Sequence, residues 1–215
     1  MVRNQPLITT IVLAVVIIIA ASVYIYTTLG KPSSTTPNVA DDTPSDNDSS
    51  PDHDDAILTI MYNGTNWNVS LSNLELMQTT TGSGSYIKTK LLPDIVLTGP
   101  FNYTGIEINS LIDQLPDPPA LYTITLTALD DYARNYSMNE TMGTVDIYDE
   151  NGSILANETA IMIIAYQEEG TVYVDDPSYD DIGPFRVAFI GEDSPITSSG
   201  LWIKRVTSIE IHMIS

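Results

Sequence analysis

Residues 122–128 read Tyr122-Thr123-Ile124-Thr125-Leu126-Thr127-Ala128, with three threonines alternating against Tyr, Ile, Leu and Ala. Successive side chains of an extended chain point to opposite faces, so this stretch has one apolar and one hydroxyl-bearing face and describes a half-buried strand. Strand-like runs recur on both sides of it. Upstream, Ile57–Tyr62 and the alternating Trp67, Val69 and Leu71 flank Asn63-Gly64, a dipeptide that accepts the positive φ angles of a tight hairpin. Tyr86–Leu97 is a further extended run. Downstream, Thr144–Tyr148 and Ile154 onward flank Asp149-Glu150-Asn151-Gly152, a second hairpin signal. Ala160–Tyr166, Thr171–Val174, Phe185–Ile190 and Trp202–Ile214 complete the series. Helices are few. Ser72 followed by Glu75 resembles a capping box opening a short helix through Met77. Ile108, Leu111, Ile112 and Leu115 share one helical face until Asp117-Pro118-Pro119 stops it. Thr79–Ser85 reads as a Thr/Gly/Ser loop. Many short strands with few helices predict a β-dominated α+β domain over 57–215.

Ahead of this domain the composition changes twice. Residues 30–56, GKPSSTTPNVADDTPSDNDSSPDHDDA, are almost wholly Pro, Ser, Thr, Asn and Asp. Too little apolar surface is available there to offset the entropy of ordering, which predicts a disordered acidic stalk. Residues 1–29 contain LITTIVLAVVIIIAASVYIY from Leu7 to Tyr26, without a charge. At about 1.5 Å per residue such a helix spans a hydrocarbon core of about 30 Å, and Tyr24 and Tyr26 suit the interface. A cleaved signal peptide is the rival reading; its apolar region is shorter, and Ala20-Ala21-Ser22 is a poor cleavage site. The expectation is a single transmembrane anchor in the lipid bilayer, with a cytoplasmic N-terminus and an extracellular C-terminal domain.

Glycosylation signals set that orientation. Asn-x-Ser/Thr triplets begin at Asn47, Asn63, Asn68, Asn102, Asn135, Asn139, Asn151 and Asn157, eight of the thirteen asparagines. Ser and Thr number 43 of 215 residues. Chance would therefore place only roughly two or three asparagines in such triplets. The excess predicts an N-glycosylated, extracytoplasmic surface, as on an archaeal-type cell envelope.

Charge and cysteine content remove whole classes of function. Eight Lys plus Arg against 28 Asp plus Glu give a net charge of −20. Nucleic acid is excluded as a partner, since clustered cations are needed to displace its counterions. The absence of any Cys removes disulfides, thiolate metal sites and cysteine nucleophiles. No Gly-x-Ser-x-Gly elbow is present, and only His53 and His212 could serve as an imidazole base.

Five short motifs then occur in order. They are Asn102-Tyr103-Thr104-Gly105-Ile106-Glu107-Ile108 with Leu111-Ile112, Thr127-Ala128-Leu129-Asp130-Asp131-Tyr132, Ile164-Ala165-Tyr166 ending at Gly170, Gly183-Pro184-Phe185-Arg186-Val187, and Trp202-Ile203-Lys204-Arg205-Val206 through Ile209-Glu210-Ile211. The domain resembles the molybdopterin-binding domain of the sulfite oxidase family, with Asp131 where that family has glycine. The resemblance implies a sulfite-oxidase-like fold, and in catalytic members a cysteine thiolate upstream of the Tyr-x-Gly element ligates molybdenum. The corresponding stretch here, Tyr86–Pro100, has none, and Thr, Leu or Val cannot replace soft thiolate ligation.

The remaining candidates follow from residue type. Arg186 and Lys204 are the cations placed to meet an anionic pterin, with a structural ion pair as the competing role. Asp175, Asp176, Asp180 and Asp181 put four carboxylates in seven residues, a candidate calcium loop whose spacing departs from the helix–loop–helix pattern. No catalytic residues are identified. The expected function is a non-catalytic binding or cell-envelope module without cofactor, with other envelope proteins or a small ligand as partners. The alternative is a degenerate redox subunit that retains molybdopterin or docks on an oxidoreductase.

Overall fold

The alternation at 122–128 is realised as a strand whose Tyr122, Ile124, Leu126 and Ala128 are buried while the three threonines between them are half-exposed. The computed structural model describes residues 56–88, 95–155 and 159–214. The expected anchor at 1–29, the stalk up to residue 55, and the acceptors Asn47 and Asn157 lie outside the described residues. Among the described residues, no helix is long and apolar enough to cross a membrane.

In chain order the elements are β1 (Ile57–Tyr62), β2 (Thr65–Ser70), α1 (Leu71–Glu75), β3 (Thr80–Lys88), β4 (Val96–Glu107), α2 (Ile108–Asp113), β5 (Tyr122–Ala128), β6 (Ala133–Ser137), α3 (Met138–Thr141), β7 (Ile147–Tyr148), β8 (Ile154–Leu155), β9 (Ile161–Glu168), β10 (Thr171–Val172), β11 (Arg186–Ile190), β12 (Ile196–Ser198) and β13 (Val206–Met213). The fold is β-dominated with three short helices among the described residues. Five strands form one sheet in the order β2-β1-β13-β5-β6, and the rest form a second in the order β10-β9-β4-β3-β12-β7-β8, with β11 also paired to β9. Pairing is antiparallel except for β1 with β13 and β3 with β12. The parallel β1–β13 pair joins the two ends of the domain, setting Ile60 beside Ile209. An isolated bridge between Ser83 and Gly191 ties the end of β11 back to β3, so β3, β4, β9 and β11 close into a small ring.

The core lies between these layers. β1, β5 and β13 bury Leu58, Ile60, Ile124, Leu126, Ile209 and Ile211, while β9 and β11 bury an almost continuous run from Met162 to Tyr166 and from Arg186 to Ile190. Strands covered on both faces need no alternation, which is why these two read as apolar runs. Asn63 and Gly64 take φ of 49° and 74° in the β1–β2 turn, as the hairpin reading requires. Asp131, in the β5–β6 turn, has φ of 63°. That is the left-handed region, which favours glycine and which Asp adopts more readily than most other residues.

Several local readings differ from the structure. The expected single run Tyr86–Leu97 instead has its two ends on separate strands, with Ile87 of β3 opposite Leu97 of β4 in an antiparallel pair. The first helix starts at Leu71 and is capped by Ser70, whose hydroxyl accepts from the Asn73 N–H at 3.3 Å; Ser72 does not cap it. Burial of Leu71 and Leu74 sets the phase of that turn. The capping box is instead at Ser137 and Glu140, each side chain bonded to the other's backbone N–H at the start of α3. Finally, Thr80–Ser85 is strand, not loop. A Cβ placed on Gly84 would lie 2.0 Å from the Phe189 carbonyl oxygen, so this glycine serves a close backbone approach between β3 and β11.

Candidate functional site

β11 is apolar except for its first residue, Arg186, and that exception organises the most polar part of the interior. Arg186 is 2% exposed. Its Nη1 donates to Oε2 of Glu168, the last residue of β9, at 3.0 Å, and the Tyr173 hydroxyl donates to the same oxygen at 3.2 Å. The guanidinium carbon lies 5.2 Å from the ring centres of both Tyr103 on β4 and Trp202 before β13. Such contacts are attractive and strengthen when water is excluded. Trp202 is held by its own indole N–H donating to Thr197 Oγ1 at 2.7 Å and by packing against Tyr86, with ring centres 5.1 Å apart. Nε and Nη2 of Arg186 and the Tyr103 hydroxyl have no hydrogen-bond partner among the described residues. Burial pushes the Tyr103 and Tyr173 phenols well above the usual tyrosine range, and the neighbouring guanidinium offsets only part of that rise.

Lys204, the second cation of the motif set, is exposed, so the structure does not bring it into this buried cluster with Arg186. The four aspartates are also dispersed in role. Asp176 accepts from the Ser178 N–H at 2.8 Å, a bond that holds its carboxyl below the usual range, and Asp175 closes the 3-10 turn Tyr173–Asp175. Asp180 and Asp181 are exposed. Among the described residues, no three acidic or histidine side chains converge as a metal site.

Among the described residues, two clefts with polar linings stand out. The first, of about 480 Å³, opens between β6, α3 and the segment after β12, lined by Arg134, Glu140, Asp146, Tyr148, Ser198 and Leu201. Its single cation is engaged: Arg134 donates to the Gly200 carbonyl at 2.7 Å and to Glu140 at 3.4 Å, and stacks over Tyr136. The second, of about 460 Å³, lies beside the end of β11 and includes Ile161, Ile190, Glu192, Asp193 and Pro195. Both linings carry more carboxylates than cations and can accept hydrogen bonds from a neutral or cationic ligand. Neither is lined by Arg186 or Lys204.

All six described glycan acceptors, Asn63, Asn68, Asn102, Asn135, Asn139 and Asn151, are exposed. Glu168, Tyr173 and the Arg134–Glu140 cleft were not singled out by sequence. The available signals were an acid closing an apolar strand just before a glycine turn, and the Ser-x-x-Glu pattern at 137–140.

No protein-family model matches the chain, and no curated protein matches it in sequence. Among solved structures, the fold is similar to that of the sulfane dehydrogenase SoxCD from Paracoccus pantotrophus, with a TM-score of 0.51 and 13% sequence identity over 74% of this chain and 39% of that one. At that identity the likeness speaks for a β-rich fold shared at a distance. This chain corresponds to well under half of the length of the dehydrogenase chain.

Proposed function

We propose that the protein is a membrane-tethered, N-glycosylated extracytoplasmic module that retains a sulfite-oxidase-like scaffold for binding or envelope architecture and performs no redox chemistry of its own. The observation that carries this reading is the burial of Arg186 in an ion pair with Glu168 in a chain without a single cysteine. A molybdenum pterin needs a thiolate at the metal and open cations at its phosphate. The residues present do not fit that group: no thiolate exists, Arg186 is 2% exposed and paired through Nη1 with Glu168 so that it opens on neither described cleft, Arg134 is committed to Gly200 and Glu140, and both described clefts carry more carboxylates than cations. Fold and function separate readily where the site residues are replaced. Exposure of all six described acceptors supports the glycosylated surface. A neutral or cationic small ligand, or a neighbouring envelope protein, suits the Arg134–Asp146 cleft.

The likeness to a sulfane dehydrogenase favours a second reading, in which the chain docks on an oxidoreductase as a subunit without its own centre. The first reading is tested by fractionating cells and mapping glycopeptides. It expects the chain in the membrane fraction with N-glycans on several of the six exposed acceptors. A chain found in the cytosol with every acceptor unmodified would overturn it.

A further inference from the structure

Among the described strands the two sheets leave four edges: β2 and β6 on the five-stranded sheet, β8 and β10 on the larger one. β11 is not a fifth, because its Val187 N–H donates to the Ile203 carbonyl and its end is bridged to Ser83. An exposed edge presents unpaired N–H and C=O groups and templates pairing with another chain; proteins usually blunt it with lysine, proline or extreme shortness. Shortness suffices for β8 and β10, two residues each. β2 and β6 are six and five residues long and contain neither lysine nor proline. β2 has no charge at all, and the one charge of β6, Arg134, is engaged by Gly200 and Glu140.

What these two long edges share is a glycan acceptor inside the strand. Asn68 on β2 and Asn135 on β6 are exposed, and each stands opposite a threonine of the next strand. Thr59 donates to Asn68 Oδ1 at 3.1 Å and Thr125 to Asn135 Oδ1 at 2.8 Å, which orients each carboxamide and leaves Nδ2 without a protein partner among the described residues. The third residue of each triplet, Ser70 and Ser137, is the N-cap of the helix that ends the strand. The other described acceptors border edges too. Asn63 is in the β1–β2 turn, Asn139 lies in α3 just past β6, Asn151 is in the β7–β8 turn, and the Asn102 carbonyl accepts from Glu169 in the β9–β10 turn.

We propose that N-linked glycans at Asn68 and Asn135 guard the two long edges of the five-stranded sheet and keep the domain from pairing edge to edge with a second copy. The proposal rests on the glycoprotein reading above. Attachment requires an oligosaccharide carried on a lipid phosphate. The Asn Nδ2–C1 bond forms as the C1–O bond to phosphate breaks; the electron pair leaves with the phosphate, and the displaced amide proton passes to a base. A bulky hydrophilic chain beside each edge then excludes a second sheet sterically.

The test uses the full chain made in an N-glycosylating host and held in detergent, with occupancy read by glycopeptide mass spectrometry and mass by sedimentation. The wild type is expected to remain one species, while N68Q/N135Q shifts to dimers and larger species as concentration rises and N63Q/N151Q does not. Because Gln could perturb folding, glycosidase trimming of the folded wild type serves as the mutation-free counterpart and should give the same shift with unchanged circular dichroism. Adding N66K/A133K, at exposed positions of the same two strands, should restore the single species by supplying charge at the edges. Occupied acceptors with no shift on removal would overturn the proposal and leave the glycoprotein reading intact, as would a shift that the lysines fail to reverse. Unmodified Asn68 and Asn135 would overturn it outright, and the glycoprotein reading falls with it only if the other acceptors are unmodified as well.

Discussion

Arg186 and Glu168 illustrate what a buried charge requires. Alone in the interior, either ion would face a desolvation cost of several kcal/mol, and the pair is tolerable because each neutralises the other. Glu168→Ala therefore leaves an uncompensated guanidinium against Tyr103 and Trp202 and should cost about 3–5 kcal/mol of stability. The double change Glu168→Leu with Arg186→Met removes both ions while keeping side-chain volume, and should cost less than the single Glu168→Ala change. Denaturant unfolding of the three proteins decides the matter; a double variant as unstable as the single one would show that the ion pair itself, rather than its breakage, carries the stability. Sequence made Arg186 visible as part of a motif but not its partner, because pairing across β9 and β11 is a long-range contact that no local spacing encodes.

At the scale of elements, legibility followed burial. β5 could be read because only one of its faces is buried, so its period of two survives in the sequence. β3 could not, because Gly82 and Gly84 are present for close approach to Ile190 and Phe189 rather than for turning, and composition alone does not separate those uses. α3 is four residues long, too short for a helical period, and only its caps announce it. That cap has a measurable weight. In protein made without glycosylation, Ser137→Ala should lower stability by about 1 kcal/mol through loss of the bond to the Glu140 N–H, whereas Ser137→Thr should keep most of it. Equal melting temperatures for the serine and alanine forms would contradict a capping role. In a glycosylating host the same alanine also abolishes the Asn135 acceptor, so the two effects separate by host.

For the whole molecule, the charge distribution and the missing thiol belong together. Of the 28 acidic residues, seven lie in residues 41–55 and the other 21 in the domain, against six Lys and Arg there. The domain therefore meets solvent as a polyanion; of its described arginine pairs, Arg186 with Glu168 is buried and Arg134 with Glu140 is half-exposed in the cleft. The ordered motifs predict a sulfite-oxidase-like scaffold, and the distant likeness to a sulfane dehydrogenase supports the β-rich part of that expectation. The cleft and its acidic lining were not legible, since they are assembled from β6, α3, β7 and the segment after β12, which are distant in the chain. We propose that a scaffold of this kind persists here without the redox centre. Metal and pterin content of the full chain, purified in detergent from cells that make molybdenum cofactor, tests it most directly. The expected result is molybdenum far below one equivalent and no fluorescent pterin released on oxidation; stoichiometric molybdenum or pterin would contradict the account.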